Sequence, residues 1–240
     1  MTTYLSISED NIAKVLGDFL TAILPGVSII RGQVNRVAEP STANFVVMTP
    51  IGQQRLSTNV DALGDVAFIG SIAGTTLTVT QMLNGTIAVG QAIRGDGISP
   101  LTAIDALGSG HGGIGTYTVS PTQTAASTTI QAGTVGKAQD TQITVQLDVH
   151  GPNAGNNSQI ISTLFRDEYA VDQFAASGYA MAPLYVSDPK QMPFINAEQQ
   201  YEDRWTIDAV LEAIPVVTVA QDFAGAATVS LVDVDVVYAP

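Results

Sequence analysis

The chain has 240 residues, with nine Lys and Arg against twenty-two Asp and Glu, giving a net charge of −13 and a pI near 4.2. A chain of that sign has no general attraction to phosphate backbones or anionic lipid, so sequence-specific nucleic-acid binding is not expected. The 45% hydrophobic share excludes intrinsic disorder, and the absence of cysteine excludes disulfides, thiolate metal sites and cysteine nucleophiles.

From the N-terminus, the first twenty residues lack both a basic segment and a long apolar segment, so no signal peptide is expected. No run of about eighteen apolar residues follows anywhere. A soluble, acidic, globular protein is the expectation. Ser6 with Glu9 three residues on matches a capping box. Behind it Ile12, Val15, Leu16, Phe19, Leu20 and Ile23 recur at helical spacing, and Pro25-Gly26 ends the run. Strands are predicted at Val27 to Val37 and Phe45 to Thr49.

The composition then changes. Between Phe68 and Gly133 the charged side chains are Arg94, Asp96 and Asp105, and the stretch holds 12 of the 22 glycines. Leu77 and Val79 alternate with Thr76, Thr78 and Thr80, and Tyr117 and Val119 with Thr116 and Thr118. Glycine-rich breaks at Asn84-Gly85, Gly95-Asp96-Gly97 and Gly108 to Gly115 separate the runs. This reads as a small all-β module of short strands.

Beyond it, Ile143, Val145, Leu147 and Val149 alternate with polar residues across Thr141 to His150. The loop Gly151 to Asn157 leads into a predicted second helix with Ile161, Leu164, Phe165 and later Phe174 as its stripe and Gly178 at its end. Tyr201 to Leu211 is a predicted long strand with Tyr201, Trp205, Ile207, Ala209 and Leu211 on one face. Thr228 to Tyr238 is another, with Val232, Val234 and Val236 buried and Asp233 and Asp235 on its polar face. The expected fold class is α+β: a mostly antiparallel sheet flanked by two helices, built from residues 1–67 and 134–240. A small all-β domain at 68–133 interrupts it at a surface turn.

The search for chemistry finds little. Of the two histidines, His150 has Asp148 two positions before it on the same strand face. That spacing presents two metal ligands or, more simply, a solvent-facing polar pair. Gly108 to Gly113 formally matches G-x-G-x-x-G, but a strand follows it instead of a helix N-terminus, so it is a turn and no dinucleotide site. Glu202, Asp208 and Glu212 are paired carboxylates of the kind glycosidases use, yet Glu202 and Asp208 share a polar face with Arg204 and Thr206, the pattern of a solvated or interface face. No nucleophile elbow is present. No catalytic residue, cofactor or metal is assigned.

Several segments carry a resemblance: Leu24-Pro-Gly-Val with Ile30-Arg-Gly-Gln-Val-Asn-Arg, Asn44-Phe-Val-Val-Met-Thr-Pro, Gln142 through Asn157, Pro183-Leu-Tyr-Val-Ser-Asp-Pro and Gln199-Gln-Tyr-Glu-Asp-Arg-Trp. Together they resemble the neck or tail terminator proteins of contractile- and long-tailed bacteriophages. The resemblance implies a virion subunit, made in the host bacterial cytoplasm, that closes as a hexameric ring on the tail tube. The ring would lie beneath the head-completion (stopper) protein, end tube polymerisation and let DNA pass without specific binding. Tail tube protein and sheath protein are the further implied partners, with no membrane. The 68–133 stretch looks like the Gly/Thr-rich β modules that recur in phage structural proteins. In a ring protein faces act instead of a cleft, so Arg31, Arg36, Arg55 and Arg204, scarce cations in an acidic chain, and Asn153, Asn156 and Asn157 are the interface candidates. Pairing of those arginines within the chain is the equal alternative. A tail tube or baseplate component is the neighbouring reading; a glycan-binding module or polysaccharide-degrading enzyme is the reading from another class.

Overall fold

The computed structural model describes residues 3–33, 40, 42–192, 194–195 and 201–221. Arg36 and the predicted strand Thr228 to Tyr238 lie outside the described residues, as does the latter part of the strand predicted to end at Val37. In chain order the elements are β1 (Tyr4–Leu5), α1 (Glu9–Ile23), β2 (Ser28–Arg31), β3 (Phe45–Arg55), β4 (Val60–Asn84), β5 (Ala92–Gly95), β6 (Ala103–Leu107) and β7 (Gly115–Ala138). Then come β8 (Thr141–His150), α2 (Ala154–Leu164), α3 (Glu168–Ala176), β9 (Met181–Val186), β10 (Lys190–Gln191), β11 (Phe194–Ile195), β12 (Tyr201–Glu202), β13 (Arg204–Ala213) and β14 (Val216–Ala220). The architecture is α+β.

Two compact units emerge. The larger comprises Tyr4–Ala62 and Gly136–Thr218. Its sheet runs β10-β13-β8-β3-β2, with β9 also on β13. All pairings in it are antiparallel except β2 with β3. β8 is the central strand, and its odd positions Ile143, Val145, Leu147 and Val149 meet Val46, Met48, Ile207, Ala209 and Leu211 in one buried core. Helix α1 adds Ile12, Val15, Leu16, Phe19 and Leu20, α2 adds Ile161, and α3 adds Ala170 and Phe174 to that same core. Three helices therefore cover one face of the sheet.

Four local expectations are corrected. The capping box of α1 is Ser8 with Asn11, not Ser6 with Glu9. Ser6 is unavailable because its Oγ accepts the backbone N–H of Val216 at 2.8 Å. The single helix expected after residue 157 is two, because the Asp167 carboxylate accepts the Tyr169 N–H at 3.0 Å and starts a new helix after the turn at Phe165-Arg166. β3 continues to Arg55, past a register irregularity at Pro50 to Gly52 where proline cannot donate to the ladder. The strand expected from Tyr201 breaks at Asp203, whose carbonyl accepts the Gly151 N–H at 3.0 Å. Tyr201 consequently leaves the core face and is exposed.

The smaller unit contains, among the described residues, Thr3, Leu63–Val135 and Val219–Gln221. β5 and β6 pair with each other and each with β7, all antiparallel. β4 folds back on itself about Ala73-Gly74: the Thr80 hydroxyl reaches the Ile69 carbonyl at 3.2 Å although both belong to one continuous strand. The core is Phe68, Ile72, Leu77, Val79, Ile87, Ile93, Ile104, Tyr117, Val119 and Ile130 with smaller neighbours. The predicted threonine alternation holds, with Leu77 and Val79 buried and Thr76, Thr78 and Thr80 exposed. The glycine loop 108–115 packs on Tyr117. Its hydroxyl accepts the Gly112 N–H at 3.1 Å and donates to the Gly113 carbonyl at 2.5 Å, and a Cβ on Gly110 would lie 2.4 Å from that oxygen. β7 follows this loop, so it is a turn built around a tyrosine, with no helix for a phosphate.

Candidate interface surfaces

Because the helices of the larger unit sit on one face of its sheet, the even positions of β8 fall on the other. There Asp148 faces Thr206 on β13 and Val47 on β3, and His150 faces Arg204 and Phe45. Arg204 donates from Nε and Nη2 to Asp148 Oδ1 at 3.0 and 2.7 Å, the Thr206 hydroxyl donates to the same oxygen at 3.0 Å, and Gln146 Nε2 reaches both carboxylate oxygens at 3.1 and 3.2 Å. His150 Nδ1 lies 2.9 Å from Glu202 Oε1, and its imidazole stacks on the Phe45 ring at 4.5 Å and 7°. Asp148 is 8% exposed and His150 9%. The expected solvent-facing pair is thus an enclosed one, each member held by a partner from the 201–206 segment. Charge-assisted bonds in so enclosed a place are stronger than surface pairs, and they fix β13 and the end of β12 against β8. Among the described residues no three His, Asp or Glu side chains are grouped to hold a metal ion.

The other arginines of the described residues that were singled out also find partners in their own chain. The Arg31 guanidinium bonds Asp10 and Glu9 at the start of α1, and those bonds raise its pKa above its ordinary value. Arg55 donates from Nε to the Ser57 carbonyl at 2.6 Å and from Nη2 to Asn59 Oδ1 at 2.9 Å, ordering the turn after β3. Asn153 precedes α2 without a side-chain cap bond, its backbone N–H given to Asn44 Oδ1 at 2.9 Å. Asn156 is exposed in the first turn of α2; Asn157 is buried, and its Nδ2 and the neighbouring Ser158 Oγ have no hydrogen-bond partner among the described residues.

Two surfaces of the larger unit were not legible in the sequence. One is a narrow groove on the helical side, with room for about one water molecule, floored by Ile12, Ala13, Leu16, Met48, Ile143 and Val145 and rimmed by Glu9, Arg31, Pro50 and Gln53. It exists because β2 accompanies β3 only as far as Met48, after which β3 runs on beside β8 alone among the described residues. The other is the two-stranded ribbon β11–β12, where Ile195 pairs with Tyr201 and both side chains are exposed, Tyr201 by 82%.

The described residues of the larger unit are organised around sheet faces, edges and paired charges. Residues 110–236, just over half of the chain, match the family model of phage neck terminator proteins, and the chain belongs to that family. The matched span takes in β8 and all that follows it to β14, including three of the segments that carry the resemblance; those at Leu24 and Asn44, with α1, β2 and β3, precede it. No curated protein matches the chain. Its role is accordingly that of a structural protein of the phage neck, in the virion. No helix among the described residues is long and apolar enough to cross a membrane.

Proposed function

We propose that this chain is the subunit of a closed ring, six-fold in the expected case, that sits on the end of the tail tube, stops its polymerisation and joins it to the head. Membership of the neck terminator family carries the reading. The proposed partners are further copies of the chain, the tail tube protein, the head-completion protein and, in a contractile tail, the sheath protein. Two features support it. The sheet face opposite the helices is held rigid by the Asp148–Arg204 and His150–Glu202 pairs, which suits a surface that must dock without rearranging. The net charge of −13 per chain is multiplied by the copy number in a ring, and such a lumen repels DNA and lets it slide. The 68–133 module is proposed as an inserted decoration on this ring.

The test is mass by light scattering with negative-stain imaging of the purified chain, alone and mixed with tail tubes. Closed rings that do not stack, or monomers that close into a ring only on a tube end, are the expected result. Long tubes from the chain alone would make it a tube protein. A chain that remains monomeric with tubes present would overturn the ring.

A further inference from the structure

Of the asparagines in the chain, Asn84 alone is followed by glycine. An asparagine side chain places its amide carbon within reach of the next residue's backbone nitrogen, and their union closes a five-membered ring. A side chain on that next residue crowds the nitrogen; glycine has none. Asn84 ends β4, is exposed, and makes no side-chain hydrogen bond among the described residues. Gly85 follows beyond the strand, exposed, with φ at +72°.

The other described asparagines are placed against this reaction. Asn11 Oδ1 accepts the Ser8 N–H at 2.8 Å and its Nδ2 donates to Tyr179 Oη at 2.7 Å. Asn44 Oδ1 accepts the Asn153 N–H, and Asn59 Oδ1 accepts from Arg55 Nη2, each at 2.9 Å. Asn157 is buried. After Asn153 and Asn156 the nitrogens that would attack are engaged in starting α2. The Ala154 N–H bonds the Gly151 carbonyl and the Asn157 N–H the Asn153 carbonyl, each at 2.9 Å.

We propose that Asn84-Gly85 is a self-modifying site, at which the folded chain converts Asn84 to isoaspartate and aspartate with water as the only co-reactant. The Gly85 nitrogen gives its proton to solvent base and attacks Asn84 Cγ. The new C–N bond closes a succinimide, and the side-chain nitrogen leaves with a proton as ammonia. Water then adds to one of the two ring carbonyls. Opening at one restores the main chain with an aspartate; opening at the other routes the main chain through Cβ and Cγ. Nothing is oxidised or reduced. Either product adds one negative charge to the −13 of the chain. The isoaspartate also lengthens the backbone where there is little slack. A Cβ on Gly85 would lie 2.5 Å from the Asp65 carbonyl oxygen, and two residues on, buried Ile87 gives its N–H to the Gly112 carbonyl at 2.9 Å.

The test is incubation of the whole chain in neutral and alkaline buffer, with peptide mapping by mass spectrometry and isoaspartate counted by isoaspartyl methyltransferase labelling. Asn84 is expected to convert at least tenfold faster than any other asparagine. Conversion should be faster in the alkaline buffer, because the attacking nitrogen must shed its proton, and should yield more isoaspartate than aspartate. The aged chain should melt at a lower temperature by circular dichroism. Asn84→Gln, whose amide would need a larger ring, should keep its mass and its melting temperature over the same period. A folded chain that keeps Asn84 intact while the urea-unfolded chain converts would overturn the inference, since the native turn then holds nitrogen and carbon apart. Aspartate without isoaspartate would overturn it too, because direct hydrolysis passes through no ring. Neither result bears on the ring reading.

Discussion

Gly151 stands where β8 hands over to α2, with φ at +100°, and a Cβ there would sit 1.9 Å from the Ala43 carbonyl oxygen. Both the dihedral and the contact demand glycine. Gly151→Ala is therefore expected to cost roughly 3 kcal/mol or more, seen as a lower denaturant midpoint with unchanged slope when Trp205 fluorescence follows unfolding. The loop was legible from its Gly and Asn content, but its role as neighbour contact or ordinary turn was not. The structure shows Asn157 turned inward and the backbone closely packed. The same limit applies to the charges. Alternation alone places Asp148 and His150 on one face. Their partners Arg204 and Glu202 are more than fifty residues away, and only the antiparallel register of β8 with β13 brings them together.

Among the elements, α1 was the most legible because its stripe depends on a local period of 3.6. All of its predicted core positions pack inward, and Phe19 meets Phe165 edge-on at 5.7 Å and Phe174 at 6.0 Å, with Phe165 and Phe174 also 6.0 Å apart. This triad joins all three helices of the larger unit. Phe19→Ala is expected to destabilise that unit by about 3–5 kcal/mol, the range for removing a fully buried ring, and thermal unfolding followed at Trp205 will register it. Element ends were less legible. Ser6 and Ser8 both fit a cap, and the choice falls to Ser8 because a residue more than two hundred positions away claims Ser6. Likewise the broken strand at Asp203 is decided by a hydrogen bond from Gly151. Local pattern has no access to such competition.

For the whole molecule, the change of composition at about residue 68 and back at 133 marked a stretch of distinct character, and the smaller of the two compact units takes in Leu63–Val135. Val219–Gln221 also belongs to that unit through the Gln221 bonds to Gly133 and Asp65, a return of the chain that composition does not signal. Each unit has its own core. Burial raises the Tyr117 phenol above its ordinary pKa of 10.0, against a smaller opposing effect of the Gly112 N–H. In the unfolded chain the phenol ionises near 10; in the folded unit it stays protonated higher. Stability from this group is whole below pH 10 and falls as pH rises beyond it. Tyr117→Phe should cost about 1–3 kcal/mol near neutrality, by freeing the Gly112 N–H and Gly113 carbonyl, and should lose part of the alkaline decline. Circular dichroism melts from pH 8 to 11 will show this, while Trp205 fluorescence, from the larger unit, should follow the parent.

The longest described departure from the larger unit leaves after Ala62 and returns at Gly136, and its two ends meet where Lys137 Nζ and Asp61 Oδ2 are 2.8 Å apart. With the two ends held together there, the length of what lies between enters the energetics only through a logarithm. Doubling the excursion adds about 0.6 kcal/mol of closure entropy. A lineage could lengthen, shorten or exchange that excursion many times over while every strand of the β8 sheet kept its register. The sequence of that excursion is thus free to drift at little thermodynamic cost to the sheet it leaves.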